Sequence, residues 1–379
     1  MTTTDDDARR SPLHAEHEAL GATLTPYAGW LMPLRYTSDL AEHHAVRRSA
    51  GLFDLSHMGE IRVSGPGAGA ALDRALVGWM SQIALGRARY TMICAPDGGV
   101  LDDLIVYRTG EEAFLVVANA ANAAVVLAEL QARCAGDDVV VADESAATAL
   151  VAVQGPQAER IVAAVVDDAA RDAVVGLRYY AWAAAEVAGV PVVVARTGYT
   201  GEDGFELFVA AGHAGEVWAA VREAGGDALV PCGLACRDSL RLEAGMPLYG
   251  NELDRTTTPH DAGLGRVVRL DKTGPDGERV PFVGREPLAA RAGSQPARVL
   301  VGLQGLGRRA ARNGYPVLWG GNVVGRVTSG APSPTLGHPI AMAYVTPEAG
   351  GEGTELAVDV RGRTEPVRVV ALPFYRRTT

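Results

Sequence analysis

The sequence predicts an α+β protein that ends in a separate all-β barrel or sandwich. Before residue 266, helical and extended patterns alternate, and turns such as Asp97-Gly98-Gly99 connect successive strands directly. Such short turns join antiparallel neighbours, whereas parallel strands need long crossover connections. Beyond residue 266, glycine- and proline-punctuated extended runs replace the helices. We therefore expect residues 290–379 to form an independent β domain.

The first predicted elements, within residues 11–50, are a helix, a turn and a second helix. Pro26 and Gly29 interrupt the helical pattern. Ser38 precedes an acidic first turn and is placed as the N-cap of the second helix.

Periodicity predicts the remaining elements in order. Strands are predicted at 59–63, up to 94, and at 100–107, 114–118, 149–153, 187–195 and 205–209. Helices are predicted at 67–80, 121–134, from 157 onward, and at 213–224 and 237–244. The C-terminal strands are predicted at 297–303, 323–328, 340–345, 355–360 and 367–371.

Composition argues against several classes of protein. The 379 residues are 48% hydrophobic, which is enough to fill sizeable cores. A net charge of −10 without a basic cluster argues against a nucleic-acid-binding surface. No apolar run reaches the ~18 residues of a membrane span, and residues 1–10 lack the apolar core of a signal peptide. We expect a cytoplasmic protein with no membrane or nucleic-acid partner.

Cysteines and histidines do not assemble a metal site by spacing. Cys232 and Cys236 are four residues apart and could share a helix face, but no second pair or suitably spaced histidine completes a zinc site. His14 and His17, or His43 and His44, could be metal ligands, but they lie in amphipathic helical patterns and are expected on exposed faces. The sequence therefore predicts no metal centre.

Two carboxylates, Asp102 and Asp103, stand at the head of an apolar strand. Adjacent side chains of an extended chain face opposite ways, so we expect only one of them to face solvent. The other would face a core or cavity, where burial or a nearby cation decides its protonation. A turn cap is the structural alternative, and the spacing leaves it open.

The most informative stretch reads RTGYTGEDGFE, over residues 196–206. Its glycines indicate a sharply turned loop. Glu206 falls in the following apolar run, where an unpaired carboxylate is costly, so a partner is required. The carboxylate could accept two parallel donors from the edge of a heterocycle, or pair with Arg237 at the start of a predicted helix. Both interpretations stand.

Together these segments resemble the glycine cleavage T-protein family of aminomethyltransferases along almost the whole chain. The resemblance rests on the order and spacing of segments 27–33, 51–58, 98–104, 117–120, 150–156, 196–206, 236–249, 251–254, 257–259, 327–330, 333–336 and 341–344. It implies a three-domain, cloverleaf-like α+β fold whose centre holds tetrahydrofolate. Residues 1–270 would form the folate-binding region, with 11–55 and 140–270 in one domain and 56–139 in another, and 290–379 would form the C-terminal barrel.

The resemblance also implies an activity. Family members transfer the aminomethyl-derived one-carbon unit from the dihydrolipoyl arm of H-protein to tetrahydrofolate, releasing ammonia and forming 5,10-methylenetetrahydrofolate. The expected partners are therefore lipoylated H-protein and tetrahydrofolate, which serves as a substrate. No metal and no covalent enzyme intermediate are expected.

Residue by residue, the resemblance assigns the catalytic role to Asp103, whose carboxylate would hydrogen-bond the folate near its reacting nitrogens. A carboxylate there can take a proton or stabilise a developing cation. Glu206 would bind the amino and ring N–H edge of the pterin. The other expected folate-binding residues are Arg237, Tyr199, Tyr90, Asn119, Met58 and, as competitors in the C-terminal tail, Arg376 and Tyr375.

Two other functions occur on the same fold. The first is a folate-dependent demethylase of dimethylglycine, sarcosine or dimethylsulfoniopropionate, which needs no lipoyl carrier. The second is a non-catalytic folate-binding protein of iron–sulfur assembly, marked by a GCYTGQE motif. The matching residues 197–202 read TGYTGE without cysteine, which argues against the second function.

Overall fold

A computed structural model describes residues 8–274 and 276–377. Residues 1–7 lie outside the described residues, and they include most of the stretch in which no signal peptide is expected. The chain forms two compact units, each built from several segments. The first unit comprises Met1–Gly69, Gln82–Arg89 and Ile105–Asp238, and the second comprises Ala70–Ser81, Tyr90–Leu104 and Ser239–Thr379. The three-domain boundaries expected from the resemblance stay a prediction.

The described residues contain the following strands and helices. The strands are β1 (Arg9–Arg10), β2 (Thr23–Tyr27), β3 (Trp30–Arg35), β4 (Ala50–Asp54), β5 (Gly59–Ser64), β6 (Ala88–Cys94), β7 (Val100–Gly110), β8 (Ala113–Ala118), β9 (Val140–Asp143), β10 (Thr148–Gln154), β11 (Trp182–Val187), β12 (Val190–Ala195), β13 (Gly204–Ala210), β14 (Leu229–Pro231), β15 (Val299–Gly305), β16 (Pro316–Trp319), β17 (Asn322–Pro332), β18 (Pro339–Val345), β19 (Glu355–Asp359) and β20 (Thr364–Val370). The helices are α1 (His14–Ala19), α2 (Asp39–Arg48), α3 (Ala68–Ala75), α4 (Ala123–Arg133), α5 (Ala158–Val165), α6 (Asp168–Val175), α7 (Ala214–Gly225), α8 (Leu234–Glu243) and α9 (Arg285–Arg291).

A six-stranded sheet of order β11-β12-β13-β10-β4-β14 organises the first unit. Strand β10 lies between β13 and β4 and pairs antiparallel with both. Alternate residues of β10 and β13 pack with helices α5 and α7 around the fully buried Trp218. The opposite face of β13 carries Glu206, which is paired in register with Ala152. The sheet thus places this carboxylate on a rigid central strand.

A second sheet has the order β6-β7-β8-β5-β9, and its strand β7 contains the Asp102-Asp103 pair. The second unit ends in a closed barrel of order β15-β18-β17-β16-β19-β20. Its interior is filled by small and β-branched side chains, among them Val301, Val327 and Ala343. The predicted α+β class and its C-terminal barrel are therefore confirmed.

Two hairpins replace elements that the sequence pattern predicts differently. The expected turn between two helices at residues 26–30 is the tip of the β2–β3 hairpin, where Ala28 and Gly29 have φ of 50° and 81°. The single strand expected at 187–195 belongs to the β11–β12 hairpin, turned at Ala188 and Gly189 with φ of 53° and 77°. Two successive left-handed residues match the right-handed twist of a two-residue hairpin. Among the described residues, every helix is too short or too polar to cross a lipid bilayer.

Candidate functional site

The loop ahead of Glu206 is folded around the side chain of Gln154. Gln154 Nε2 donates to the Thr197 carbonyl at 3.0 Å, and Thr200 Oγ1 donates to Gln154 Oε1 at 2.8 Å. A Cβ at Gly198 would meet Gln154 Oε1 at 2.0 Å, and one at Gly204 would meet Nε2 at 2.2 Å. Gly198 and Gly204 are therefore required for the close approach of the loop to Gln154. The number of glycines in so short a loop indicates the same requirement.

Glu206 is 7% exposed, and its carboxylate is held by two hydroxyl groups. Thr197 Oγ1 and the Tyr107 hydroxyl both donate to Oε2, the latter at 3.4 Å. Burial, and then the charge of Glu206, raise the pKa of Tyr107 well above its ordinary value, so Tyr107 remains a donor. These bonds fix one carboxylate oxygen and leave Oε1 without a described donor. The carboxylate is thus oriented and keeps acceptor capacity.

Arg237, in the first turn of α8, lies over the ring of Tyr199. Its guanidinium carbon is 4.9 Å from the ring centroid, a cation–π distance. Nη1 is buried and has no hydrogen-bond partner among the described residues. Burial lowers the pKa of Arg237, and the charge of Glu206 is the strongest of the effects that oppose this shift. Arg237 and Glu206 are therefore electrostatic neighbours, and the guanidinium retains an unused donor.

His57 lies in the loop after β4 and is 4% exposed. Its ring meets the ring of Tyr27 edge-on, with centroids 5.5 Å apart. Burial, supported by the charge of Arg237, lowers the pKa of His57 to about 4 against the opposing charge of Asp54. Nδ1 is buried and finds no partner in the described part of the chain. His57 is therefore a neutral imidazole with unused hydrogen-bonding capacity.

Asp54 anchors a separate buried network. Its Oδ2 accepts hydrogen bonds from the Ser11 hydroxyl and from His17 Nε2, the latter at 2.8 Å, while Oδ1 accepts from the Ser56 amide at 2.9 Å. The other His17 nitrogen bonds the Tyr36 hydroxyl at 2.9 Å. Ser11 and His17 both bind the carboxylate, an arrangement different from a nucleophilic triad, in which serine bonds histidine.

The expectation of exposed histidines in α1 and α2 is wrong for three of the four, and His44 is half-buried. His17 and His43 are fully buried and His14 is 7% exposed. For His17 the physical reason is Asp54, which lies in β4 and supplies a partner that local periodicity cannot reveal.

Asp103 lies on β7 and is half-buried, while its neighbour Asp102 is fully buried, as strand alternation predicts. The Tyr90 hydroxyl, from β6, donates to Asp103 Oδ2 at 3.1 Å. The structure therefore brings together two of the residues that the resemblance assigns to folate. Burial, and then the charge of Asp102, raise the pKa of nearby Tyr249.

Met58 and Asn119 flank one end of the β5–β8 pair. Met58 directly precedes β5 and Asn119 directly follows β8, and Gly59 is paired with Ala118. The two residues therefore follow the last register pair at this end of the sheet, and both are half-buried.

The C-terminal tail is attached to α8 through its backbone. The amide of Tyr375 donates to the Glu243 carbonyl at 2.8 Å. The Glu243 carboxylate in turn binds Ser333 and both the amide and the hydroxyl of Thr335. Tyr375 is half-buried and Arg376 is exposed.

Glu42, Cys232 and Cys236 are buried together, with potential ligand atoms all within 4.8 Å of one another. The thiols donate to backbone carbonyls, and the Glu42 carboxylate accepts the amides of Tyr36, Thr37 and Gly233. Burial raises the pKa of Cys232 well above its ordinary value. These hydrogen bonds connect α2 to the segment that leads into α8.

Thr197, Tyr107 and His57 lie at the candidate site and are not among the residues expected there from the sequence. Thr197 and Tyr107 do lie within the motifs at 196–206 and 100–107, but only the fold shows that their hydroxyls meet at Glu206. The sequence signal for His57 was its position next to Met58, one of the expected folate-binding residues.

Two family profiles match the chain. The one described as the GCVT N-terminal domain covers residues 13–272, and the one described as the glycine cleavage T-protein C-terminal barrel domain covers residues 298–376.

Relatives of known name are similar over nearly the full length. An aminomethyltransferase from Streptomyces avermitilis is 60% identical over 374 residues, covering 97% of this chain and 98% of the relative. One from Cutibacterium acnes is 57% identical over 374 residues, covering 98% and 99%. The crystal structure of the glycine cleavage system aminomethyltransferase T from Bartonella henselae is similar with a TM-score of 0.87 and 36% identity, covering 97% of this chain and 98% of that one.

Proposed function

Because the chain belongs to the glycine cleavage T-protein family of aminomethyltransferases, we propose that it transfers an aminomethyl-derived carbon from a dihydrolipoyl carrier to tetrahydrofolate. The products would be ammonia and 5,10-methylenetetrahydrofolate. The observation that carries this proposal is the 60% identity to an aminomethyltransferase across 97% of the chain. Neither a small-molecule demethylase nor a non-catalytic folate-binding protein is favoured by these relatives.

The polar groups around Glu206 fit the edge of a pterin. A carboxylate accepts two parallel N–H donors, which a 2-amino group and a neighbouring ring N–H supply together. Thr197 and Tyr107 hold Oε2 in place, so the carboxylate would meet such an edge already oriented. The buried, unpartnered Nη1 of Arg237 offers a donor for an acceptor of the same ligand. The other proposed folate-binding residues are Tyr199, Met58 and Asn119 in the first unit, and Tyr90 with Tyr375 or Arg376 of the C-terminal tail in the second.

Asp103 is the proposed catalytic residue. Its carboxylate would hold the folate near the reacting nitrogens and take the proton that the attacking nitrogen loses. The hydrogen bond from Tyr90 at 3.1 Å fixes the direction of the carboxylate. Tetrahydrofolate itself supplies the nucleophilic nitrogen, and we expect the protein to contribute binding, orientation and proton transfer.

The proposed donor is the lipoylated H-protein of the glycine cleavage system, and the reaction is expected in the cytoplasm. The protein would be incubated with tetrahydrofolate and one of three donors: aminomethyl-loaded H-protein, dimethylglycine or sarcosine. In each donor the transferable carbon would be labelled with ¹³C. Labelled methylenetetrahydrofolate formed only from the loaded carrier would support the proposal. Label transferred only from the small amines would replace it with a demethylase.

A further inference from the structure

We propose that His57 is a further folate-binding residue, whose Nδ1–H donates a hydrogen bond to the 4-carbonyl oxygen of the pterin beside Arg237. This inference rests on the proposed function, because it adds a contact to the same ligand. It starts from two buried nitrogens in the first unit, His57 Nδ1 and Arg237 Nη1, for which the residues described by the structure supply no hydrogen-bond partner.

A buried nitrogen without a partner is rare in folded proteins. Most buried polar atoms are hydrogen-bonded, because an unsatisfied one loses its hydration without any compensating bond. His57 and Arg237 each carry such an atom. They follow β4 and β14, which pair as parallel neighbours, so both residues lie at the same end of the six-stranded sheet. Two unsatisfied nitrogens in one neighbourhood indicate a ligand with an acceptor at that place.

The protein does not use Asp54 to satisfy His57. Although Asp54 is close enough to act on the His57 ring electrostatically, its oxygens accept from Ser11, His17 and Ser56. The His57 ring is located instead by the edge-on ring of Tyr27. Packing therefore positions the imidazole and leaves Nδ1 available.

The neutral charge state of His57 allows His57 and Arg237 to donate to the same ligand oxygen. With a pKa of about 4, His57 is neutral at physiological pH and is not repelled by the Arg237 guanidinium. A neutral imidazole carries one N–H, and a carbonyl oxygen has two lone pairs. Arg237 Nη1 and His57 Nδ1–H can therefore share one carbonyl oxygen.

The order of groups around a pterin identifies that oxygen. The 2-amino group and the adjacent ring N–H form the donor edge proposed for Glu206, and the next atom along the same edge is the 4-carbonyl oxygen. The charge of Glu206 is the strongest effect that supports the charge on Arg237. A ligand whose donor edge meets Glu206 therefore presents its acceptor to Arg237 and, with it, to His57.

Three substitutions of His57 test the contact at the level of one atom. An asparagine amide nitrogen takes the place of Nδ1, a glutamine amide nitrogen takes the place of Nε2, and leucine supplies neither. We expect His57→Leu and His57→Gln to weaken tetrahydrofolate binding about tenfold, the size of one lost hydrogen bond, and His57→Asn to stay within about threefold of wild type. Equal binding by all variants, or equal loss in His57→Asn and His57→Leu, would overturn the proposal.

Two ligand analogues separate the carbonyl oxygen from other contacts. A reduced 2,4-diamino analogue lacks this oxygen, so the penalty of His57→Leu should disappear with it. A tetrahydropterin without the glutamate tail retains the oxygen, so the penalty should persist. A penalty confined to ligands with the tail would contradict the assignment.

Controls separate this inference from the proposed function and from misfolding. The exposed His213→Leu should bind like wild type, and circular dichroism should show that each variant is folded. Failure of the wild-type protein to bind tetrahydrofolate would refute the proposed function. Wild-type binding and turnover, together with His57 variants that bind equally well, would refute only the role of His57.

Discussion

The Tyr90 hydroxyl donates a hydrogen bond to Asp103 Oδ2 across 3.1 Å, and so joins strand β6 to the proposed catalytic carboxylate. Asp102 is turned into the core by strand alternation, whereas Asp103 remains half-buried. The phenol therefore supports the one carboxylate of the pair that is accessible to a substrate.

Tyr90→Phe should slow turnover about tenfold, because the phenol orients the Asp103 carboxylate. Steady-state kinetics would measure the effect. Unchanged turnover would show that this bond has no role in the reaction.

Asp103→Asn should reduce turnover by roughly 10²-fold or more, the usual size of acid–base and electrostatic losses. The amide keeps the shape of the side chain, so folding and the dissociation constant for tetrahydrofolate should change little. Single-turnover kinetics and titration calorimetry would separate the two quantities. Wild-type turnover in this variant would remove Asp103 from the mechanism.

Glu206→Ala should weaken tetrahydrofolate binding by at least tenfold, because the pterin donors would lose a charged acceptor. The exposed Glu223→Ala serves as the matched control and should bind normally. Fluorescence titration would measure both dissociation constants. If the Glu206 variant binds as tightly as its control, Glu206 has only a structural role.

Glu60 should make the stability of the protein depend on pH. It is fully buried, neither carboxyl oxygen has a described partner, and burial raises its pKa from 4.5 to about 9. Between these values the unfolded chain releases the proton and the folded chain keeps it. The free energy of unfolding of the wild-type protein therefore falls as pH rises through this window.

Glu60→Gln removes this titration, so its stability relative to wild type should increase by about 2–3 kcal/mol between pH 5 and pH 7. Urea denaturation at several pH values would measure the change. The exposed Glu112→Gln should show no such trend. Parallel pH curves for Glu60→Gln and wild type would contradict the raised pKa.

Structural features that depend only on the local sequence pattern are predicted well. The adjacent positions of Asp102 and Asp103 in a strand imply opposite faces, and the structure has them so. The glycines around Glu206 imply a tight loop, and their contacts with Gln154 give the reason. The β-rich C-terminal pattern likewise closes into a barrel.

Partners far apart in sequence could not be predicted from local pattern. His17 lies in a helical pattern whose amphipathicity suggests exposure, but Asp54 satisfies it within the core. Ala28 is a strong helix former, and the local sequence does not predict its left-handed φ at the hairpin tip. Tyr107 reaches Glu206 only because the fold brings residues 99 positions apart together.

The most direct test of the central claim is ammonia release from aminomethyl-loaded, lipoylated H-protein, measured with and without tetrahydrofolate. We predict fast release that depends on tetrahydrofolate and yields stoichiometric methylenetetrahydrofolate. No release above background, under conditions in which tetrahydrofolate binds tightly, would contradict aminomethyl transfer.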